Sequence, residues 1–218
     1  MMRELNQELI KELVTPSLEQ SRAFGFLGPG PVAHHILHAF GFVDALLSNE
    51  PNLEGPDQSF VDLGAGGGLP GLVAALALPL SKWLFLDVNA RRTGFLAACV
   101  NDLGISDRVE IRCERAELTA QNRLYRERFQ AVVARGFAGP AVTAECGAPL
   151  LALDGLFVVS EPPEEGARWP ASGLAQVGLE PLARPVQTHR FFVARKSVST
   201  PARYPRRVGI PEKRPLFL

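Results

Sequence analysis

Two carboxylates, a run of glycines and one arginine carry the chemistry this sequence offers. Asp62 lies near the end of the apolar run Phe60-Val61-Asp62-Leu63, and Gly64, Gly66, Gly67 and Gly68 follow before Leu-Pro-Gly-Leu-Val-Ala-Ala opens a helical pattern. A strand, a glycine turn and a helix start make a cradle for a ligand. Glycine lets the backbone come close without a Cβ in the way, and the helix start presents free N–H groups. Asp87 closes the next apolar run, 25 positions after Asp62. An acid there can accept hydrogen bonds from both hydroxyls of a ribose. Arg135 closes a fourth run, Ala131 to Ala134, at the same edge of the expected sheet.

A glycine turn alone is shared by dinucleotide sites, S-adenosylmethionine (SAM) sites and turns that bind nothing. The order D-L-G-A-G-G-G-L-P-G puts an acid two residues before the first glycine. That acid suits the cationic amino-acid end of SAM better than a pyrophosphate, so local chemistry favours SAM over a dinucleotide.

The elements that must hold these residues alternate. Strands are expected at 59–63, 82–87, 109–113, 130–135 and 155–161, with helices at 69–78, 90–103, 116–124 and 140–151 between them. After a short helix near 171–177, the runs 182–188 and 190–196 are too close for a crossover helix and read as a hairpin. The fold class is therefore α/β: a Rossmann-like, mostly parallel doubly wound sheet with a C-terminal antiparallel hairpin and the ligand at the carboxyl ends of the strands. Residues 1–57 read as an N-terminal helical cap. Leu5, Leu9, Ile10, Leu13 and Val14 share one face of a helix over 4–14, which Pro16 and Ser17 should break before a second short helix to Phe24. Residues 25–31 form a glycine-proline loop, and 32–47 a helix with Val32, Ile36, Phe40, Val43 and Leu47 inward. His34 and His38 fall on one helix face, but no carboxylate or cysteine completes a metal site, so no metal is expected. Phe24, Phe26, Phe40 and Phe42 read as core.

Composition narrows the function classes. The 218 residues are 46% hydrophobic and 21% charged, which suits one globular domain of residues 58–197 with short appendages. No apolar stretch is long enough to span a bilayer, and the N-terminal stretch lacks an apolar signal core, which points to a cytoplasmic protein. Cys99, Cys113 and Cys146 lack ligand spacing and read as reduced core thiols. The net charge is zero, yet residues 190–218 hold eight Lys and Arg against one acid, a net of +7 on a body of −7. Such a basic end, of which 198–218 is the tail beyond the domain, either meets an anionic partner or docks on its own body.

Four segments in order, FVDLGAGGGLPGL, FLDVNARRTGFL, ERAE at 114–117 and VVARGFA at 132–138, resemble the glucose-inhibited division protein B family. The terminal RYPRRVGIPEKRPL, residues 203–216, is similar to that family's basic end. The resemblance covers the chain from about residue 58 onward and implies a SAM-dependent methyltransferase acting on N7 of a guanine in 16S ribosomal RNA, free or in the 30S subunit, as a monomer. The family's Lys-Gly after the fifth strand is Ser160-Glu161 here, while its Lys-Arg after the second-strand acid is Arg91-Arg92. A methyltransferase for a small molecule or protein, and an RNA-binding assembly protein without catalysis, are the other readings.

On that resemblance Asp62, Gly64, Gly66 and Gly68 are expected at the methionine end of SAM, Asp87 at the ribose and Ala116-Glu117 at the adenine edge. Ala65, Leu69, Pro70, Val88, Arg92 and Arg135 complete the cofactor set. Guanine N7 has a lone pair and no proton, so its methylation needs no general base; positioning and exclusion of water suffice. Arg135, beside the expected methyl, is the candidate catalytic residue, donating to guanine O6 or a phosphate. Arg203, Arg206 and Arg207 are the candidate RNA contacts.

Overall fold

A computed structural model describes residues 2–162, 168–182 and 191–217, with side chains from residue 6 onward. Its centre is one seven-stranded sheet in the order β3-β2-β1-β4-β5-β7-β6. The strands are β1 (Ser59–Leu63), β2 (Lys82–Asp87), β3 (Val109–Cys113), β4 (Phe129–Ala134), β5 (Leu151–Ser160), β6 (Leu179–Pro181) and β7 (Phe191–Lys196). β1 to β5 run parallel to one another, and β7 is antiparallel to both β5 and β6.

Both faces are covered, so the strands read as continuous apolar runs. Phe60, Phe85, Ala131, Val133, Leu156, Val158 and Val193 pack to one side with α1 (Met2–Ala23), α2 (Val32–Asn49), α3 (Gly71–Ala77) and α4 (Ala90–Asp102). Val61, Leu63, Leu84, Leu86, Val132, Phe157 and Phe192 pack to the other with α5 (Ala116–Gln121), α6 (Pro140–Gly147) and α7 (Ala171–Ala175). A last short helix is α8 (Ile210–Lys213). The sheet matches the Rossmann-like expectation, and strand order reverses between β1 and β4. Chain connections leave the sheet in opposite directions there, which opens a crevice at the carboxyl ends of those two strands. The glycine turn and Arg135 flank it.

Four local details bear on those expectations. The first helix does not stop at Pro16 but runs unbroken to Ala23. Its buried stripe is Ile10, Val14, Leu18 and Ser21, while Leu9 and Leu13 are exposed; the side chain of Leu5 lies outside the described residues. Burying three such aliphatic side chains contributes about 1.5–3 kcal/mol each, more than the roughly 3 kcal/mol an interior proline costs. Pro16 sits on the exposed side, where the freed Glu12 carbonyl meets water. Second, α1 and α2 pack on the core and share one apolar cluster with the sheet. Third, the β7 strand of the expected hairpin is present, but its partner is Leu179–Pro181, extended by the Leu182 N–H donating to Val193 O at 2.9 Å; most of the run 182–188 lies outside the described residues. Fourth, Cys99 and Cys146 are buried but Cys113 is exposed, as is Phe24, whose ring edge meets Phe95. No helix among the described residues is long and apolar enough to cross a membrane.

Candidate active site

The turn after β1 is tied at both ends. Asp62 is fully buried, and its Oδ2 accepts the Gly71 N–H at 2.8 Å, joining the end of β1 to the first residue of α3. Gly64 has φ +77°, and a Cβ on it would lie 2.7 Å from the Phe137 ring. Gly67 is packed against the end of α1: a Cβ would come within 2.8 Å of Phe26 O, and the Ser21 hydroxyl donates to Gly67 O at 2.9 Å. The turn therefore has glycine where the loop after β4 and the end of α1 press on it.

Asp87 holds the other side. Its Oδ2 accepts the Gly66 N–H at 2.9 Å and its Oδ1 the Asn89 N–H at 2.8 Å, with Arg92 Nη1 at 3.8 Å. Asn89 in turn caps α4 through the N–H groups of Arg91 and Arg92. Gly64, Asp87, Val88, Arg92, Ala116 and Glu117, six of the residues expected around SAM, line one cleft of about 430 Å³, faced by Phe137 and Gly139. Gly66 is half-buried beside Asp87, whereas Asp62, Ala65, Gly68, Leu69 and Pro70 are buried behind the turn.

Behind the turn lies a polar cluster. Asp62 Oδ1 and Arg135 Nη1 are both buried with no hydrogen-bond partner among the described residues. Burial is the main reason the Asp62 carboxyl is pushed up to about 7; the Gly71 N–H and Arg135 oppose the rise, and Asp87 adds to it. Burial likewise lowers the pKa of Arg135, with Asp62 opposing. A second Arg135 nitrogen, Nη2, lies 2.6 Å from His35 Nδ1.

A family model described as rRNA small subunit methyltransferase G matches residues 32–163. The chain is 34% identical over 189 residues to ribosomal RNA small subunit methyltransferase G of Parasynechococcus marenigrum, covering 79% of this chain and 74% of that protein. It belongs to this family. The protein of the same description from Dictyoglomus thermophilum is 32% identical over 184 residues, covering 81% and 76%. Among solved structures, a putative sarcosine dimethylglycine methyltransferase from Galdieria sulphuraria superposes with a TM-score of 0.56 at 14% identity, covering 70% of this chain and 65% of that one. A SAM-dependent O-methyltransferase from Thermotoga maritima gives 0.54 at 14% identity, covering 72% and 66%. At such identities the likeness concerns the fold, which is that of the class I SAM-dependent methyltransferases. Family and fold together make the chain an enzyme of the SAM-dependent methyltransferase class.

Within this family member, Glu161, the acid next to the serine that stands where the resemblance expects a lysine, is taken up internally. Glu161 Oε1 accepts from Arg168 at 3.1 Å and from Trp169 Nε1 at 2.9 Å, and its side chain is buried. The basic terminus is docked rather than free. Arg206 donates through Nε and Nη2 to the two oxygens of the fully buried Glu145, at 2.8 and 2.6 Å, and through Nη2 to Arg214 O. This corrects the expectation of Arg206 as an RNA contact, because its guanidinium is used inside the protein. Arg203, stacked 5.0 Å from the Tyr204 ring centre, and Arg207 are exposed. The Gly209 N–H donates to Glu117 Oε1 at 2.9 Å and Glu212 lines the cleft, so the terminus forms one of its walls.

The sequence raised His34, His35 and His38 together, as metal ligands or as packing and polar-contact residues, without singling out His35 or naming Arg135 as its partner. The available signal was its position in the first turn of α2, after a loop rich in glycine and proline.

Proposed function

We propose that this protein transfers the methyl group of SAM to N7 of a guanine in 16S ribosomal RNA, in the cytoplasm. The observation that carries the reading is the pair of buried, unpartnered groups at the strand-order reversal, Asp62 Oδ1 and Arg135 Nη1, beside a cleft sized for a nucleoside. The family to which the chain belongs supports the RNA substrate.

The residues present fit SAM. Asp62 Oδ1 lacks a donor that the ammonium of an amino acid supplies. Each oxygen of Asp87 accepts one backbone N–H and keeps a second lone pair for a ribose hydroxyl. Ala116 and Glu117 offer an edge for adenine. When bound, SAM supplies an electrophilic methyl on a sulfonium. The chain's own residues orient the reactants and exclude water: Phe137 covers the glycine turn, and Arg135 donates to guanine O6 without occupying N7. No residue needs to take a proton from N7.

The deciding experiment incubates the protein and labelled SAM with 30S subunits, naked 16S rRNA and a small-molecule extract. Label recovered as 7-methylguanine in one RNA position is expected; label in neither RNA would sink the reading.

SAM affinity should depend on pH through Asp62. Its pKa in the ligand-free protein is raised from 3.8 to about 7, so the neutral acid is favoured there; stability from this group is complete below pH 3.8 and lost as pH rises through about 7. A cationic ligand favours the carboxylate, so binding releases a proton. Calorimetry in buffers of different ionisation enthalpy should show that release. The affinity should rise by up to about tenfold per pH unit toward pH 7 and level off above it. An affinity flat from pH 5.5 to 8 would remove Asp62 from the site.

Arg203 and Arg207 lie exposed on the docked terminus. Replacing both with alanine should lower the slope of log affinity against log salt for RNA by about 2, leaving SAM affinity unchanged. A full slope in the variant would place the phosphate contacts elsewhere.

A further inference from the structure

His35 joins two elements that are remote in sequence. Its Nε2 lies 3.2 Å from the carbonyl of Gly28, in the loop before α2, and its Nδ1 lies 2.6 Å from Arg135 Nη2 at the end of β4. A guanidinium only donates and a carbonyl only accepts, so one form of the ring satisfies both contacts: neutral imidazole with its hydrogen on Nε2. Burial, and then the Arg135 charge, lower the His35 pKa, which keeps the ring in that form. With Nη2 engaged, the nitrogen of the Arg135 fork left buried and unpartnered among the described residues is Nη1.

We propose that His35 is the positioning residue for Arg135: its Nδ1 holds one nitrogen of the fork so that Nη1 is presented to the ligand in the crevice. The inference rests on the proposed role of Arg135 at the reacting guanine. A guanidinium on three rotatable carbons is a poor catalytic donor until it is fixed, because misplacement by about 1 Å can cost about a hundredfold in rate. His35 fixes it from α2, and the Gly28 contact fixes the ring itself.

Two substitutions separate the two contacts. In His35→Asn, the side-chain oxygen takes the place of Nδ1 and can accept from Arg135, while the reach to Gly28 is lost. In His35→Gln, the amide nitrogen takes the place of Nε2 and can donate to Gly28, while the acceptor for Arg135 is lost. With the full chain, labelled SAM and 30S subunits, His35→Gln should lower kcat roughly tenfold to a hundredfold with KM within about threefold, and His35→Asn should stay within about threefold of wild type in both. The reverse order, or equal losses, would make His35 a loop anchor only and overturn the proposal. A second readout needs no substrate. Nitrogen NMR of the ligand-free protein should show His35 protonated at Nε2 alone. It should also show two distinct Arg135 Nη signals in wild type and His35→Asn that merge in His35→Gln. A proton on Nδ1, or Arg135 signals alike in all three proteins, overturns the proposal whatever the substrate. Failure of the wild type to label 16S rRNA counts against the substrate reading alone, and the spectra still decide on His35.

Discussion

Asp87→Ala should weaken SAM binding by about 10²–10³-fold in calorimetry, the largest effect on the cofactor of any single change at this site. Both Asp87 oxygens already organise the cleft, one holding the Gly66 N–H of the glycine turn and the other the Asn89 N–H ahead of α4. Alanine thus releases the turn and removes the acceptors for the ribose together. Hydrogen bonds to a charged group contribute about 1.5–3 kcal/mol each, so losing two corresponds to at least a hundredfold. Asp87→Asn separates the parts. One oxygen remains to accept, but the amide nitrogen cannot take an N–H, so an intermediate loss of about tenfold is expected. If Asp87→Ala folded and bound SAM as tightly as wild type, the cofactor would lie somewhere other than the cleft beside Asp87.

The parts of this site that follow one another in the chain were legible from sequence. β1, the glycine turn and α3 form one contiguous pattern, and the alternation of apolar runs with helical periods led to the mostly parallel sheet. Asp87 and Arg135 were placed because each ends a strand, and strand ends in a doubly wound sheet share one edge. What the sequence concealed are contacts between polar groups far apart in the chain. His35 meets Arg135 across 100 positions, and Arg206 meets Glu145 across 61. Polar partners of this kind carry no periodicity, so nothing local announces them. The unbroken α1 was hidden for a different reason: Pro16 argues for a break, and only the buried stripe formed with α2 and α3 outweighs it.

These long-range contacts change what the charge pattern means. A tail of +7 on a body of −7 allowed either an external anion or self-docking. The terminus divides the work: Arg206 turns inward to Glu145, while Arg203, Arg207, Lys213 and Arg214 remain exposed. Docking brings the segment around Gly209 and Glu212 to the wall of the cleft. Glu161, next to the serine that stands where the resemblance expects a lysine, is held internally by Arg168 and Trp169.

The second large effect concerns that docking. Arg206→Ala should destabilise the protein by about 3–5 kcal/mol in denaturant unfolding, because it leaves the fully buried Glu145 carboxylate without its cation. The Arg206 backbone N–H, at 2.8 Å from Glu145 Oε1, survives the substitution but cannot replace two charge-assisted bonds. Glu145→Ala should cost less, about 1–3 kcal/mol, since the Arg206 side chain is 26% exposed and can turn to water. The order of the two losses is the test of the argument. Equal small losses, below about 1 kcal/mol each, would mean that the pair does not hold the terminus. Replacing both partners by Leu and Met should recover most of the stability, because a buried ion pair gains little over a packed apolar pair. The same Arg206→Ala protein should bind SAM more weakly, since the Gly209 contact to Glu117 and the Glu212 wall depend on the docked segment. Recovery of SAM affinity in the Leu and Met double variant would tie the loss to docking rather than to charge at the cleft.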